Sequence, residues 1–134
     1  MFLKYADKNI MFNLDTFSYI SMGSASTVTD EEVAKRYKPD WNRRDSYIYL
    51  ISVYGYIVGA DEATELFKVG YQYDSSNHAA EEKAKELAQK VYSTIIKAMI
   101  DGERVVELQN RYCFYDVSGY GYNSTVTLKA IKFG

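Results

Sequence analysis

Residues 78–101 read HAAEEKAKELAQKVYSTIIKAMID, and this stretch decides the fold. Its apolar residues Ala84, Leu87, Ala88, Val91, Ile95, Ala98 and Met99 recur three and four apart, which is the stripe of an amphipathic helix. Ser75, Ser76 and Asn77 offer caps in front of it, and Gly102 supplies the stop. Glu81–Lys85 and Glu86–Lys90 stand in the favourable order for solvent-side pairs. A helix of about 23 residues is a rod of roughly 34 Å, long enough to cross a whole sheet.

The flanking segments supply that sheet. After the helix, Val106, Leu108, Tyr112 and Phe114 alternate with Glu107, Gln109 and Arg111, which are expected to face water. Ser118-Gly119-Tyr120-Gly121 reads as a hairpin turn, and the chain returns with Val126, Leu128 and Ala130 inward. Before the helix, Ser46–Val58 is the strongest strand signal, apolar on both faces, with Gly55 marking a bulge or a close backbone approach. Asp61–Phe67 reads as a helical turn and Val69–Tyr73 as a short strand. At the amino terminus Phe2–Tyr5, the alternating run Ile10–Leu14 and Phe17–Met22 read as a β-meander. Gly23–Thr29 reads as a loop, and Thr29 with Glu32 has the spacing of a capping box that opens a short helix near 30–37, ended by Pro39. The expected architecture is α+β in one domain, 1–134. It has an antiparallel sheet of five to seven strands, with the long helix across one face.

Composition bounds the function. Fourteen tyrosines accompany a single histidine and a single cysteine, so the residues of most catalysis and metal binding are scarce. Tyrosine buries a ring while its hydroxyl stays wet, which suits contact surfaces. A lone Cys113 permits no internal disulfide and fits a reducing compartment. No segment reads as a signal peptide or a membrane span, so the expectation is a soluble cytoplasmic protein. A net charge of −2 argues against general nucleic-acid binding. The stretch 35–44 nevertheless carries five cationic residues and one acidic one, leaving −6 on the remainder.

Three candidate surfaces follow. Lys38, Arg43 and Arg44, with Lys35 and Arg36, interleave with Tyr37 and Trp41; guanidinium groups would grip an anionic, nucleotide-like ligand and Trp41 would stack on it. The ordinary alternative is a solvated helix end. Tyr120 and Tyr122, set between glycines on a hairpin, are either a binding tip or a turn folded over the sheet. The remaining tyrosines, above all Tyr47, Tyr49, Tyr54, Tyr56, Tyr71, Tyr73, Tyr112 and Tyr115, exceed what one sheet face against one helix needs. They point to a surface that meets another subunit or a protein target, against their ordinary use as half-buried β-formers. Cys113 reads as small and inert, and His78 as a neighbour of the helix cap.

No catalytic triad, dinucleotide fingerprint or metal motif is present in the sequence, and no cofactor is implied. Two readings result. One is a non-enzymatic interaction protein that binds or occludes a partner protein and self-associates, in the manner of small accessory or inhibitor factors of phages and mobile elements. The other is a binder of a small anionic ligand.

Overall fold

The computed structural model describes residues 1–23, 26–28, 48–73, 78–118 and 125–130. Within them the order is β1 (Phe2–Tyr5), β2 (Lys8–Asn13), a 3-10 turn (Leu14–Thr16), β3 (Tyr19–Met22), β4 (Ser26–Val28), β5 (Ile48–Tyr56), β6 (Thr64–Gln72), α1 (Ala79–Ile100), β7 (Val105–Leu108), β8 (Tyr112–Ser118) and β9 (Thr125–Ala130). The architecture is α+β, with one long helix packed on mostly antiparallel sheet.

The strands divide between two sheets. A six-stranded sheet runs β3-β5-β6-β8-β9, with β4 also pairing β5, and a three-stranded sheet runs β2-β1-β7. Two pairings are parallel, β6 with β8 and β1 with β7. The expected amino-terminal meander is therefore corrected. β1 and β2 form a hairpin turning at Ala6-Asp7, while β3 leaves them for the edge of the larger sheet. The 3-10 turn makes that departure: Asn13 Oδ1 accepts from Asp15 N at 3.1 Å, and Leu14 N donates to Met1 O at 2.8 Å, burying Leu14 completely. Two further expectations fail. Ser26–Val28 pairs with β5 instead of looping, and the expected helical turn at Asp61–Phe67 is absent because β6 already begins at Thr64.

Helix α1 buries Ala80, Ala84, Ala88, Val91, Ile95 and Ala98. The first three lack bulk, so the amino-terminal half approaches the sheet closely. Leu87 is partly buried and Met99 is exposed, so the stripe ends one residue earlier than its spacing suggests. Gly102, at φ +72, turns the chain left-handed, and Glu103 N then bonds Ala98 O at 3.0 Å. The second half of α1 is closed over by the small sheet, whose Leu3, Tyr5, Val106 and Leu108 join the core with Ile95 and Ala98.

β5 is apolar on both faces because both are covered within the one chain. Ile51 and Val53 join the core beneath the helix, and Ile48, Leu50 and Ser52 on the other face are also buried. Of the two settings a two-sided apolar strand allows, a central place in the sheet or a face covered by a partner chain, β5 has the central place. Gly55 meets the other expectation: a Cβ there would lie 2.6 Å from the Phe17 ring.

The parity assigned to β8 was inverted. Cys113 lies in the core beneath the helix at 2% exposure, while Tyr112 and Phe114 belong to the opposite face. Nor does Arg111 face open water. Its guanidinium carbon lies 5.0 Å from the Phe12 and Tyr112 ring centres and 5.9 Å from that of Tyr5, and Nη2 donates to Glu65 O at 2.8 Å. Beside it the Tyr5 hydroxyl donates to Leu66 O at 2.5 Å. These two residues join the small sheet to the large one.

Candidate functional site

One helix cannot cover this sheet. Strands lie about 4.8 Å apart, so the outer strands of a five-strand path are separated by about 19 Å, while a helix is about 10 Å wide. α1 packs chiefly on β6, with lesser contact to β5 and β8. A trough runs along each of its flanks.

The larger trough has a volume of about 990 Å³. Tyr49 and Ile51 of β5 and Tyr71 of β6 form its floor, with Tyr73 just beyond the strand and Met22 and Gly23 from the end of β3. Its wall is the helix row Glu81, Lys85, Gln89 and Ser93, joined by Glu86 and Lys90. These positions follow from the sequence pattern: odd-numbered residues of β5 face the helix, and 81, 85, 89 and 93 repeat every fourth residue beside the buried alanines.

The tyrosines are mutually ordered. Tyr49 and Tyr71 are register partners and stack at 5.7 Å with 17° between planes. Tyr73 meets Tyr49 edge-on at 5.6 Å and His78 at 6.2 Å. Burial, and then the Glu81 charge, push the Tyr71 phenol up to about 12, so its hydroxyl stays protonated at neutral pH. Glu81 is held below the usual carboxylate range by hydrogen bonds from Lys85 and His78, each at 3.0 Å. Gln89 Nε2 donates to Ser93 Oγ at 3.2 Å. Among the described residues, Glu86 and Lys90 form no ion pair, so the expected Glu86–Lys90 pairing is not made; both line the trough. The arrangement supplies ring stacking, hydroxyl and amide hydrogen bonds and a mixed-charge rim, which are the means of recognition.

The opposite flank holds a smaller cavity of about 290 Å³, lined by Phe67, Leu87, Val91, Leu108, Cys113 and Leu128 among others. Burial pushes the Cys113 thiol up to about 12, which fits the inert role read from the sequence. Leu128 is 46% exposed although its register places it on the helix side, since the helix does not reach over β9.

Lys38, Trp41, Arg43 and Arg44, the short helix near 30–37, and Tyr120 and Tyr122 lie outside the described residues. Of the wider tyrosine set, Tyr49, Tyr71 and Tyr73 come together in the trough, and Tyr54 and Tyr56 join Tyr19 at the β3 edge. Tyr112 packs with Arg111. The polar helix row was passed over in the sequence as solvent surface. Its signal was its place, one step around the helix from three alanines. Among the described residues no helix is long and apolar enough to cross a membrane, and no group of three His, Cys, Asp or Glu side chains is arranged to hold a metal ion. Compared with protein-family models, curated proteins and solved structures, the chain has no match.

Proposed function

We propose that this chain is a non-enzymatic interaction protein that seats part of a partner protein in the tyrosine trough beside α1. The observation that supports this is the trough beside a helix too narrow for its sheet: half-buried Tyr49 and exposed Tyr73 and Met22 line it, over a buried base of Tyr71 and Ile51. Tyrosine supplies large rigid contact area at little entropic cost, and a few such anchors carry most of a protein interface's energy. The consequence of binding is to tether or occlude that partner.

The test is affinity capture from the source cells with wild type beside Gln89→Trp. Gln89 is exposed on the helix, so tryptophan there fills the trough without disturbing the core. A partner held by wild type and lost by Gln89→Trp supports the reading. A partner set identical for the two proteins refutes it.

Self-association is a second reading, favoured by one observation. Tyr19 on edge strand β3 is 56% exposed and stacks flat on Tyr56 at 4.5 Å, with Tyr54 alongside. An oligomer in light scattering that Tyr19→Arg converts to monomer supports it; a wild-type monomer sinks it.

A further inference from the structure

One corner of the large sheet carries exposed apolar side chains together with carboxylates of a single sign. Tyr19 of β3 is 56% exposed, and its ring lies flat on that of Tyr56 at 4.5 Å with 10° between planes. Tyr54 follows at 6.1 Å from Tyr56. Ile20 packs on the core, so Tyr19, one residue before it, belongs to the sheet face turned away from α1. β5 then runs into a turn in which Val58 N donates to Ser18 Oγ at 3.2 Å and Ala60 N donates to Ile57 O at 3.0 Å. The first of these bonds holds Val58, 81% exposed, next to the Ser18–Tyr19 segment, and Ile57 beside it is 46% exposed.

The charge at this corner is acidic throughout. Residues 9–23 and 52–67 contain Asp15, Asp61, Glu62 and Glu65 and no lysine or arginine. Asp15 is met by the amino-terminal ammonium at 3.0 Å, and Glu65 by Lys68 at 2.8 Å. Asp61 and Glu62, exposed on the turn that follows Tyr56, form no ion pair among the described residues.

These features select one complement. An aromatic ring is electron-rich on its faces, and Tyr19 spends one face on Tyr56 while its exposure leaves the other to solvent. The surface thus offers a π face, apolar area and two carboxylates. A guanidinium on its apolar stem answers all three, since it stacks on tyrosine and pairs with carboxylate oxygens two at a time. The chain makes this combination internally, where the Arg111 guanidinium carbon lies 5.0 Å from the Phe12 and Tyr112 ring centres.

We infer that this corner docks an arginine-bearing segment of a partner protein. A guanidinium lies over Tyr19 and against Asp61 and Glu62, and an apolar neighbour rests on Ile57 and Val58. The inference is independent of the trough, with which it shares no residue.

The test is selection of a displayed library of random dodecapeptides against the whole chain, with enriched sequences resynthesised and titrated by fluorescence polarisation at low salt. Enriched peptides should carry arginine beside apolar residues. Replacing that arginine by lysine should weaken binding about threefold or more. Tyr19→Ala should weaken it about fivefold or more, and Asp61→Asn with Glu62→Gln about threefold or more. Gln89→Trp, which fills the trough, should leave affinity within about twofold. All four positions are exposed, and circular dichroism checks that each variant is folded. Enriched peptides without arginine, or no enrichment on the folded protein, overturn the inference. So does binding that Tyr19→Ala leaves unchanged or that Gln89→Trp abolishes. If the wild type is an oligomer that Tyr19→Arg converts to monomer, a second copy holds this surface and the inference falls as well.

Discussion

Removing one oxygen atom from Tyr5 tests how the two sheets are joined. The ladder between β5 and β6 is interrupted, since Val53 pairs with Phe67 and the next residue, Tyr54, pairs with Glu65. Leu66 is left opposite nothing on β5, and the β6–β8 pairing begins only at Lys68. Its carbonyl is served by the Tyr5 hydroxyl at 2.5 Å, between side chains that are 0% and 4% exposed. Tyr5→Phe keeps the ring and its edge contact with Phe12 but leaves that carbonyl buried and unpaired. Orphaning a buried acceptor costs about 1–3 kcal/mol, and we expect about 2 kcal/mol. Unfolding entropy of about 2.1 cal/mol/K per residue gives about 0.28 kcal/mol/K for this chain, so Tm should fall by about 7 °C. Urea titrations with an unchanged m-value would confirm that the folded state alone is affected. A loss under about 0.5 kcal/mol, or about 2 °C, would refute the assignment of this hydroxyl as the partner of the bulge.

Three further predictions follow from the packing and the protonation. Stability should be full below about pH 9 and decline as pH rises toward 12: an unfolded thiol or phenol releases its proton near its ordinary 9.0 or 10.0, whereas folded Cys113 and Tyr71 retain theirs to about 12 and Tyr5 is raised too. A urea midpoint equal at pH 8 and pH 11 would contradict this, and Cys113→Ala should remove the earliest part of the decline. Gly55→Ala should cost about 1–3 kcal/mol, because the added methyl meets three Phe17 ring carbons at 2.6–2.8 Å; the loss should shrink when Phe17→Leu is added, and strict additivity would count against the contact. Arg111→Ala should destabilise by about 2–3 kcal/mol through the lost Glu65 carbonyl bond and the three ring contacts, and a change under about 1 kcal/mol would show that the joint does not depend on it.

What could be read in advance follows the strength of local signals. Helix α1 was legible to within a residue at each end, because 22 residues of consistent period outweigh any single position. β5 was legible as a two-sided strand, but its sequence is the same whether a second chain or its own chain covers the far face. The segment after Asp61 was misread because Glu62, Ala63 and Glu65 favour helix in isolation, while pairing of β6 on both sides overrides that preference. The division into two sheets was not legible, since alternation shows a strand's face and not its neighbour. Cys113 was misplaced by taking Arg111 as an outward strand residue, although it precedes β8 and folds onto aromatic rings. The trough has no motif at all. It arises from a mismatch in width between helix and sheet, and only the burial of Ala80, Ala84 and Ala88 hints at which polar row will border it.

The parallel pairing of β1 with β7 has a consequence for the chain's birth. Phe2 pairs with Val105, so the first strand waits for more than a hundred residues before its second neighbour exists. At about 5–20 residues per second, that wait on the ribosome is about 5–20 s. Closing so long a loop costs about 4 kcal/mol of chain entropy, recovered only when Leu3 and Tyr5 meet Val106 and Leu108. Through that interval Leu3, Tyr5 and Phe12 of β1 and β2 lack the cover that β7 and the helix later give them. The nascent protein thus passes through a window in which it shows an apolar surface that the finished fold largely covers.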